Sequence, residues 1–562
     1  MYTHLICPEI CEVYKNLGVI SMGITTPVMY KDMYLGQMDP KQADLILSTR
    51  QAEEIPNLTK MIFNFPPELV LRSLESGDSI RDIIRAENID YKQYLGQLRK
   101  YQTVGTAFMY FSPRSIIGDG VGLGKTAEIA ALINLLKQVG ELSRFMMAVE
   151  TSALGQTQAE LIRFTGLNII ALPSEGYKLK KVIQKTDWNK IDGMVIKHSA
   201  LRSDILSNWL ALNIGENGLS NLFNLFLLDE SSVIKNTTTK TAIYTKNICD
   251  ICPRVHFMNA TTFETCLMDI YNQMDIMNPQ LLPNKWRIEK EFCTFGRSTY
   301  WTKENGKPKM NYRRDLTGYK NQVKFKECLK LVYFGRCKQD IGMDMPHIHK
   351  VYEVEPNNEQ SMALQKGYRY MEVLNCPSLI EDIHLETSRK TVPKIDRLCN
   401  LIENEFTDSK VMVYCFHTEA QEVIANELRK IGRNPVVLNG KSTDTERWEI
   451  QTRFNSGDYD VIITNIMKSL NLFGGDACIF YSNSMTPSKM FQTAGRVDRN
   501  VDDKIKTFIL LIYKGTDEYK HFMEVTSQRA KDGRELTIDA KTTVDYFIES
   551  MKADELAELS QQ

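Results

Sequence analysis

Three groups of residues have the types and spacing that chemistry needs. The first is Gly118–Thr126, reading Gly-Asp-Gly-Val-Gly-Leu-Gly-Lys-Thr. Backbone N–H groups of a glycine-rich turn and the positive end of a following helix converge on one spot and favour an anion there. Glycines such as Gly122 and Gly124 let the chain approach phosphates without Cβ clashes. Lys125 then reaches the β- and γ-phosphates of ATP, and the Thr126 hydroxyl binds Mg²⁺. The strict G-x-x-x-x-G-K-T pattern wants Gly at 119, where Asp119 stands. The second group is Asp229-Glu230, which ends the apolar run Leu225–Leu228. Asp229 holds Mg²⁺ through water in this reading, and Glu230 orients or deprotonates the attacking water. The third is Arg496 and Arg499, spaced i, i+3 at an expected helix start and so on one face. Taken alone the pair reads as a solvated basic helix end with Asp498 as its partner. It is also suited to neutralising charge on a transferring phosphoryl group, a role worth about 10³–10⁵ in rate.

These residues need elements to hold them. Ile116–Ile117 runs into the glycine-rich loop, and Ala127–Leu136 follows with helical periodicity. Short apolar runs then alternate with helical stretches: Phe145–Val149, Gln158–Phe164, Ile169–Leu172, Met194–Ile196, Leu225–Leu228 and Val255–Met258. A second series begins at Lys410, with strands at Val411–Phe416, Val436–Leu438, Val461–Thr464, Ala477–Tyr481 and Phe508–Tyr513. Helices at Glu419–Ile431 and Thr443–Asn455 lie between them. Apolar strands separated by helices mark parallel sheets with helices on both faces, so two α/β lobes are expected in tandem. A carboxylate at a strand's C-terminal end shares an edge with the phosphate loop, where ligands of parallel sheets bind. Residues 1–90 carry no nameable motif; Ser79–Glu87 reads as a short amphipathic helix and Met61–Phe65 as a strand. Residues 544–559 read as an acidic amphipathic packing or partner helix.

The chain has 562 residues, 43% of them hydrophobic, enough for several cores. No apolar run reaches the ~18–20 residues that span a bilayer, and Met1–Cys11 lacks a signal pattern, so a cytoplasmic or nucleoid location and no membrane partner are expected. The 12 cysteines show Cys249-x-x-Cys252 and Cys7-x-x-x-Cys11 without a second pair at zinc spacing, which favours buried free thiols. Net charge is only −1, yet residues 285–338 hold fifteen Lys/Arg against five Asp/Glu. Such a stretch supplies salt-dependent affinity for nucleic-acid phosphates. Its aromatics, including Trp286, Tyr300, Trp301 and Tyr312, either stack on bases or pack a small core. Arg313 and Arg314 are the leading DNA candidates, with Arg336 and Lys338 beside them. His347 and His349 lack ligand partners at metal spacing and read as structural.

Taken in order, these segments resemble superfamily-two helicases, specifically the Swi/Snf-type duplex DNA translocases, over roughly residues 95–530. Leu98-Arg99-Lys100-Tyr101-Gln102 is similar to the motif whose glutamine reads adenine. Asp commonly opens that family's phosphate loop, as Asp119 does here. Asp229-Glu230-Ser231-Ser232-Val233-Ile234-Lys235-Asn236 resembles its Asp-Glu-x-His-x-Ile-Lys-Asn box, with Ser232 for the usual His. Asn259-Ala260-Thr261-Thr262, with Asp269, Gln273 and Asn278-Pro279 beyond it, stands where Thr-Gly-Thr-Pro is expected. Arg336-Cys337-Lys338 resembles Arg-Arg-x-Lys. In the second lobe Asn439-Gly440, Arg447, Ser469–Leu472, Gln492–Arg499 and Thr516-Asp517-Glu518 continue the series.

The resemblance implies two tandem RecA-like lobes that sandwich ATP and Mg²⁺. Gln102, Arg99, Gly122, Gly124, Lys125, Thr126 and Gln492 would hold the nucleotide; Thr126 and Asp229 would hold the metal. Lys125, Glu230, Arg496 and Arg499 would carry catalysis, and in this context the arginines act across the cleft, so hydrolysis is fast only when the lobes close. The expected plan is an accessory domain at 1–90, lobe one at 91–284, a basic insertion at 285–345, lobe two at 346–531 and an acidic tail at 532–562. The expected activity is a monomeric DNA-dependent ATPase that moves on duplex DNA and remodels branched DNA. A replication, recombination or transcription protein is the further partner. Alternatives are a transcription-linked translocase that displaces stalled polymerase, and a non-catalytic ATP-gated DNA-binding scaffold.

Overall fold

In the computed structural model, residues 62–213, 222–260, 266–279, 285–304, 307–342, 347–365, 392–466, 474–482, 486–498, 504–536 and 544–552 are described, with 29–30, 33–34, 373, 375, 470 and 472. The chain divides into two compact units, Met1–Ile341 with Glu535–Ile538, and Gly342–Arg534 with Asp539–Gln562.

In the first unit, helices α1 (Pro67–Ser76), α2 (Ile80–Ala86) and α3 (Lys100–Phe111) precede the sheet. Strand β1 (Arg114–Ile117) leads through the glycine-rich loop into α4 (Lys125–Gln138), followed by β2 (Phe145–Val149), α5 (Leu154–Thr165), β3 (Ile169–Leu172), β4 (Gly193–Lys197), β5 (Leu225–Leu228), β6 (Arg254–Met258) and α6 (Met268–Met277). A hairpin of β7 (Cys293–Glu304) and β8 (Lys307–Tyr319) comes next, then β9 (Tyr333–Phe334). The sheet runs β9-β1-β6-β5-β2-β4-β3 and is parallel throughout. Burial on both faces explains the unbroken apolar runs: β2 and β5 are buried at every residue. Successive side chains serve opposite cores, Phe145, Met147 and Val149 packing with α4 and α5, Met146 and Ala148 with the helices of the other face.

The stretch 62–90 is no separate packing unit. Phe65, Leu69, Val70, Ile80 and Ile84 join the core that contains Ile129, Leu132 and Leu161. The accessory domain expected over 1–90 is in this part a cover on the first lobe, because its apolar residues find their partners on α4 and α5. The expected strand and helix are present, as Ile62–Phe63 and α2 with Ser79 at its N-cap.

The second unit contains β10 (His347–Val354), α7 (Pro393–Asn404), β11 (Val411–Tyr414), α8 (Thr418–Lys430), β12 (Pro435–Leu438), α9 (Asp444–Ser456), β13 (Val461–Thr464), β14 (Ala477–Phe480), α10 (Pro487–Val497) and β15 (Lys506–Tyr513). Its parallel sheet runs β10-β15-β14-β11-β13-β12. The described part of the expected terminal helix, 544–552, is helical and places Val544, Phe547 and Met551 in this unit's core. Two parallel α/β lobes, each with cores on both sheet faces, are therefore the architecture. No described helix is long and apolar enough to cross a membrane. The described cysteines are free, and burial pushes the Cys252 thiol up to about 12.

Candidate nucleotide site

The loop after β1 demands glycine where the pattern places it. Gly122 and Gly124 adopt φ of 87° and 84°, the left-handed region that favours glycine. A Cβ on Gly124 would also fall 2.5 Å from Gln102 Nε2. Gly124 is the N-cap of α4, so Lys125 and Thr126 occupy its first turn, both half-buried. The Lys125 ammonium donates to the loop's own carbonyls, at 2.7 Å to Asp119 O and 3.3 Å to Gly120 O. This glycine cradle at a helix N-terminus, with a lysine arched over it, fits a polyphosphate.

Gln102 and Tyr101, on α3, brace the loop from below. Gln102 Nε2 and Tyr101 OH each donate to Leu123 O at 3.0 Å, while Gln102 Oε1 accepts from the Arg99 backbone N–H, also at 3.0 Å. The glutamine expected to read adenine is thus 9% exposed and a strut for the loop.

The Asp-Glu pair lies on the same sheet edge. β5 is separated from β1 only by β6, and both strands end at the edge where the loop begins. Asp229 Oδ1 accepts from the Glu230 N–H at 3.0 Å, and His198 Nε2 meets Asp229 O at 2.8 Å. Glu230 has φ 48°, a left-handed conformation that strains a residue with a Cβ. Helix α6 holds the turn that follows: Ser231 Oγ donates to Gln273 Oε1 at 2.5 Å and Asn272 Nδ2 donates to Ile234 O. Thr126, in the first turn of α4, and Asp229, at the end of β5, are the residues of this edge that would hold a Mg²⁺. It would supply charge neutralisation on the phosphoryl oxygens. Among the described residues no cluster of three or more His, Cys, Asp or Glu forms a metal site of its own.

Arg336 is a correction. Expected to touch DNA, it is 1% exposed and forks into Asp119 and Glu128, with a further hydrogen bond to Tyr101 O. Two buried carboxylates attract a guanidinium more strongly than solvent-screened phosphates do. Their charges outweigh the burial that works to lower its pKa, which is held above the ordinary arginine value. Glu128 goes the other way. Burial, and then the charge of Asp119, push its carboxyl well up despite Arg336 and Lys125. Asp119 thus departs from the strict loop pattern because its side chain anchors this interior pair. Lys338 is half-buried just beyond it.

In the second unit Arg496 lies in the last turn of α10, not at a helix start, because Thr486 caps that helix and Pro487 opens it. Its Nη1 donates to Leu470 O at 3.4 Å and its carbonyl accepts from Leu472 N–H at 3.2 Å. Gln492 is buried on the same helix. Asp498 pairs with His347 Nε2 at 3.1 Å, and His349 stacks on Tyr546, so both histidines serve packing. Arg499, Ser469, Asn471, Thr261 and Thr262 lie outside the described residues. Arg313 and Arg314 fall on β8, opposite Ser298 and Arg297 of β7.

The helicase conserved C-terminal domain matches residues 393–501. DNA excision repair protein ERCC-6-like of Bos taurus is 26% identical over 251 residues, 41% of this chain and 20% of that protein. Chromodomain-helicase-DNA-binding protein 8 of Danio rerio is 23% identical over 491 residues, covering 77% and 18%. Transcription regulatory protein SNF2 of Saccharomyces cerevisiae is 19% identical over 500 residues, covering 79% and 28%. The chain spans about a fifth to a quarter of the length of these relatives. A solved structure, the Sulfolobus solfataricus SWI2/SNF2 ATPase core in complex with dsDNA, is 17% identical with a TM-score of 0.37, covering 78% of this chain and 97% of that one. In the order of its segments and in these relatives, the chain is similar to superfamily-two helicases of the Swi/Snf type.

Proposed function

We propose that the chain is a DNA-dependent ATPase that converts hydrolysis of Mg-ATP into movement along duplex DNA. The observation that carries this reading is the shared edge of the first sheet, where Lys125 and Thr126 open α4 and Asp229-Glu230 ends the strand next but one. Lys125 and the loop N–H groups bind and orient the phosphates, and Glu230 positions the attacking water. Arg496, Arg499 and Gln492 are the second lobe's contribution, the arginines neutralising charge on the transferring group. Gln102 and Arg99 border the base. The basic hairpin carries the duplex contacts through Arg313 and Arg314, joined by Lys338 beyond β9. Its finer task, in this reading, is remodelling branched DNA by fork reversal or branch migration.

The test is ATP hydrolysis measured without DNA and with single strands, duplexes, forks and four-way junctions. Stimulation by duplex, strongest on branched DNA and absent in Lys125→Ala, is the expected result. Hydrolysis indifferent to DNA overturns the motor, and equal stimulation by linear and branched duplex overturns the branched substrate. For the hairpin, Arg313→Ala with Arg314→Ala lowers the salt slope of DNA binding by about 2 if both touch phosphates. An unchanged slope removes them.

A further inference from the structure

We infer that Arg336 is a positioning residue for the phosphate loop, making the loop's geometry depend on the segment by which the chain leaves the first unit. The nucleotide part of this inference rests on the proposed ATP site; the mechanical part rests on hydrogen bonds within this unit.

The departing chain, residues 332–336, runs alongside β1 and continues past it into the loop. Ile116 N donates to Val332 O at 2.7 Å, Gly118 N to Phe334 O at 2.7 Å and Gly120 N to Arg336 O at 2.8 Å. The ladder of the sheet therefore extends over the first three loop residues, and the loop moves with its neighbour. The Arg336 side chain then closes a cage. Nε donates to Asp119 Oδ1 at 3.1 Å, Nη2 to Asp119 Oδ2 and to Glu128 Oε1 at 2.8 Å, and Nη1 to Tyr101 O. One guanidinium so joins the start of the loop, the first turn of α4 two residues beyond Thr126, and the helix whose Tyr101 and Gln102 support Leu123.

Space is reserved for this arrangement. A Cβ on Gly105 of α3 would lie 2.7 Å from Glu128 Oε2 and 2.8 Å from Arg336 Nη2. A Cβ on Gly118 would lie 1.8 Å from Tyr333 OH. Stability does not require a buried ion triad, since apolar replacements of similar volume are often neutral or better. What a planar five-donor fork does supply is fixed geometry among several acceptors, which a lysine does not reproduce. Five residues beyond Arg336 the long first segment of this unit ends, at Ile341. Displacement of the second unit that pulls on residues 337–341 thus reaches Asp119 and Glu128 through Arg336, without any contact to nucleotide.

The test compares the full chain with Arg336→Lys and Gly105→Ala. The first keeps the charge and loses the fork; the second pushes on Glu128 Oε2 and Arg336 Nη2 from α3. Backbone hydrogen exchange over residues 116–128, thermal unfolding, and KM and kcat for ATP are the readouts. Both variants should fold, exchange the loop amides at least tenfold faster with second-unit peptides unchanged, and raise KM for ATP about tenfold. Folded variants with unaltered loop exchange overturn the inference. Faster loop exchange with unaltered KM confines Arg336 to a structural role and overturns the positioning of nucleotide. A parent chain that neither binds nor hydrolyses ATP sinks the proposed function instead, while the exchange data still judge Arg336.

Discussion

A fully enclosed cation sits in each unit, and the two are neutralised differently. In the second unit Lys394, at the start of α7, lies 2.9 Å from each carboxylate oxygen of Glu518, 3.2 Å from Tyr481 O and 3.3 Å from Asn375 Oδ1. Glu518 also accepts from Tyr513 N at 2.9 Å, and the rings of Tyr513 and Tyr481 flank the ammonium. One cation meets one anion, and both Glu518 carboxylate oxygens accept hydrogen bonds. In the first unit one guanidinium faces two carboxylates, and Glu128 Oε2 is buried with no hydrogen bond. The balanced pair joins β15 to α7 and explains why Glu518 of the Thr516-Asp517-Glu518 signature matters. The triad, which keeps a proton on one of its two acids, borders the phosphate loop.

If that contrast is right, the same substitution has opposite signs in the two places. Glu518→Gln leaves Lys394 charged, buried and half-paired, and should destabilise the second unit by about 3–5 kcal/mol in urea unfolding. Pairing it with Lys394→Met should recover most of that loss. A double variant as unstable as the single would mean that packing, not charge, holds the site. Glu128→Gln removes the need to protonate a buried carboxyl on folding and offers an amide donor to Asp119. It should stabilise the first unit by up to about 3 kcal/mol at pH 8. The pH sign follows from linkage. The Glu128 carboxyl is raised on folding, so the folded chain holds a proton that the unfolded chain loses, and stability falls as pH rises through the folded pKa. The glutamine variant lacks that decline. A parent chain whose first unit gains stability between pH 6 and 8 relative to Glu128→Gln would reverse the assignment.

Much of this is legible in the sequence. The apolar runs gave the strands almost to the residue because strands buried on both faces tolerate little else, as Phe145–Val149 and Val461–Thr464 illustrate. The loop and Asp229-Glu230 were legible because phosphate binding fixes residue type and local spacing together. The buried role of Arg336 is not legible in the sequence because its partners are 217 and 208 residues away. Counted within a basic stretch, it looked like its neighbours; only the tertiary fold shows which positive charge has turned inward. The end of α10 is a different failure. Pro487 is a visible helix-start signal, and a helix that opens there carries Arg496 in its last turn. The role of 62–90 was invisible because an amphipathic helix announces an apolar face and not which core it covers.

Acid should strain both units through histidines kept neutral by burial. His256, on β6 with Nδ1 2.8 Å from Ser115 Oγ, is pushed down to about 3, with burial foremost and Arg254 and Arg114 adding to it. His349 is pushed down to about 4, by burial first and His347 next. Both folded values lie below the ordinary 6.5, so the unfolded chain takes up protons first and stability drops as pH falls below about 6.5. For His256 the loss by pH 5 is about 2 kcal/mol, since one pKa unit is worth about 1.4 kcal/mol. His256→Phe should flatten the first unit's response between pH 7 and 5 while the second keeps its own. Identical slopes in parent and variant would place the acid sensitivity elsewhere.

The smallest expected effects separate the units at two helix starts. Ser79 caps α2, its Oγ accepting from Asp82 N at 3.1 Å and donating to Asp82 Oδ2 at 2.7 Å. Thr443 caps α9 through a reciprocal box, Thr443 Oγ1 accepting from Glu446 N at 3.3 Å and Glu446 Oε2 accepting from Thr443 N at 2.7 Å. Alanine at either site should cost about 1 kcal/mol. Only the Thr443 cost should fade in acid, because hydrogen bonds from Thr443, the backbone one first, hold the Glu446 carboxyl below its ordinary range. Its contribution is present above about pH 4.3 and disappears as pH falls through the folded value. Ser79 stands over Ile80 and Ile84, which are packed into the first core, so loss of its cap should loosen α2 together with the loop side of that core. Hydrogen exchange at 80–86 and 444–456 distinguishes the cases. Fraying confined to α9 in Thr443→Ala, with faster exchange reaching α1 and α5 in Ser79→Ala, is the pattern that a covering element fused to the first lobe requires; strictly local fraying in both would make residues 62–90 an independent attachment.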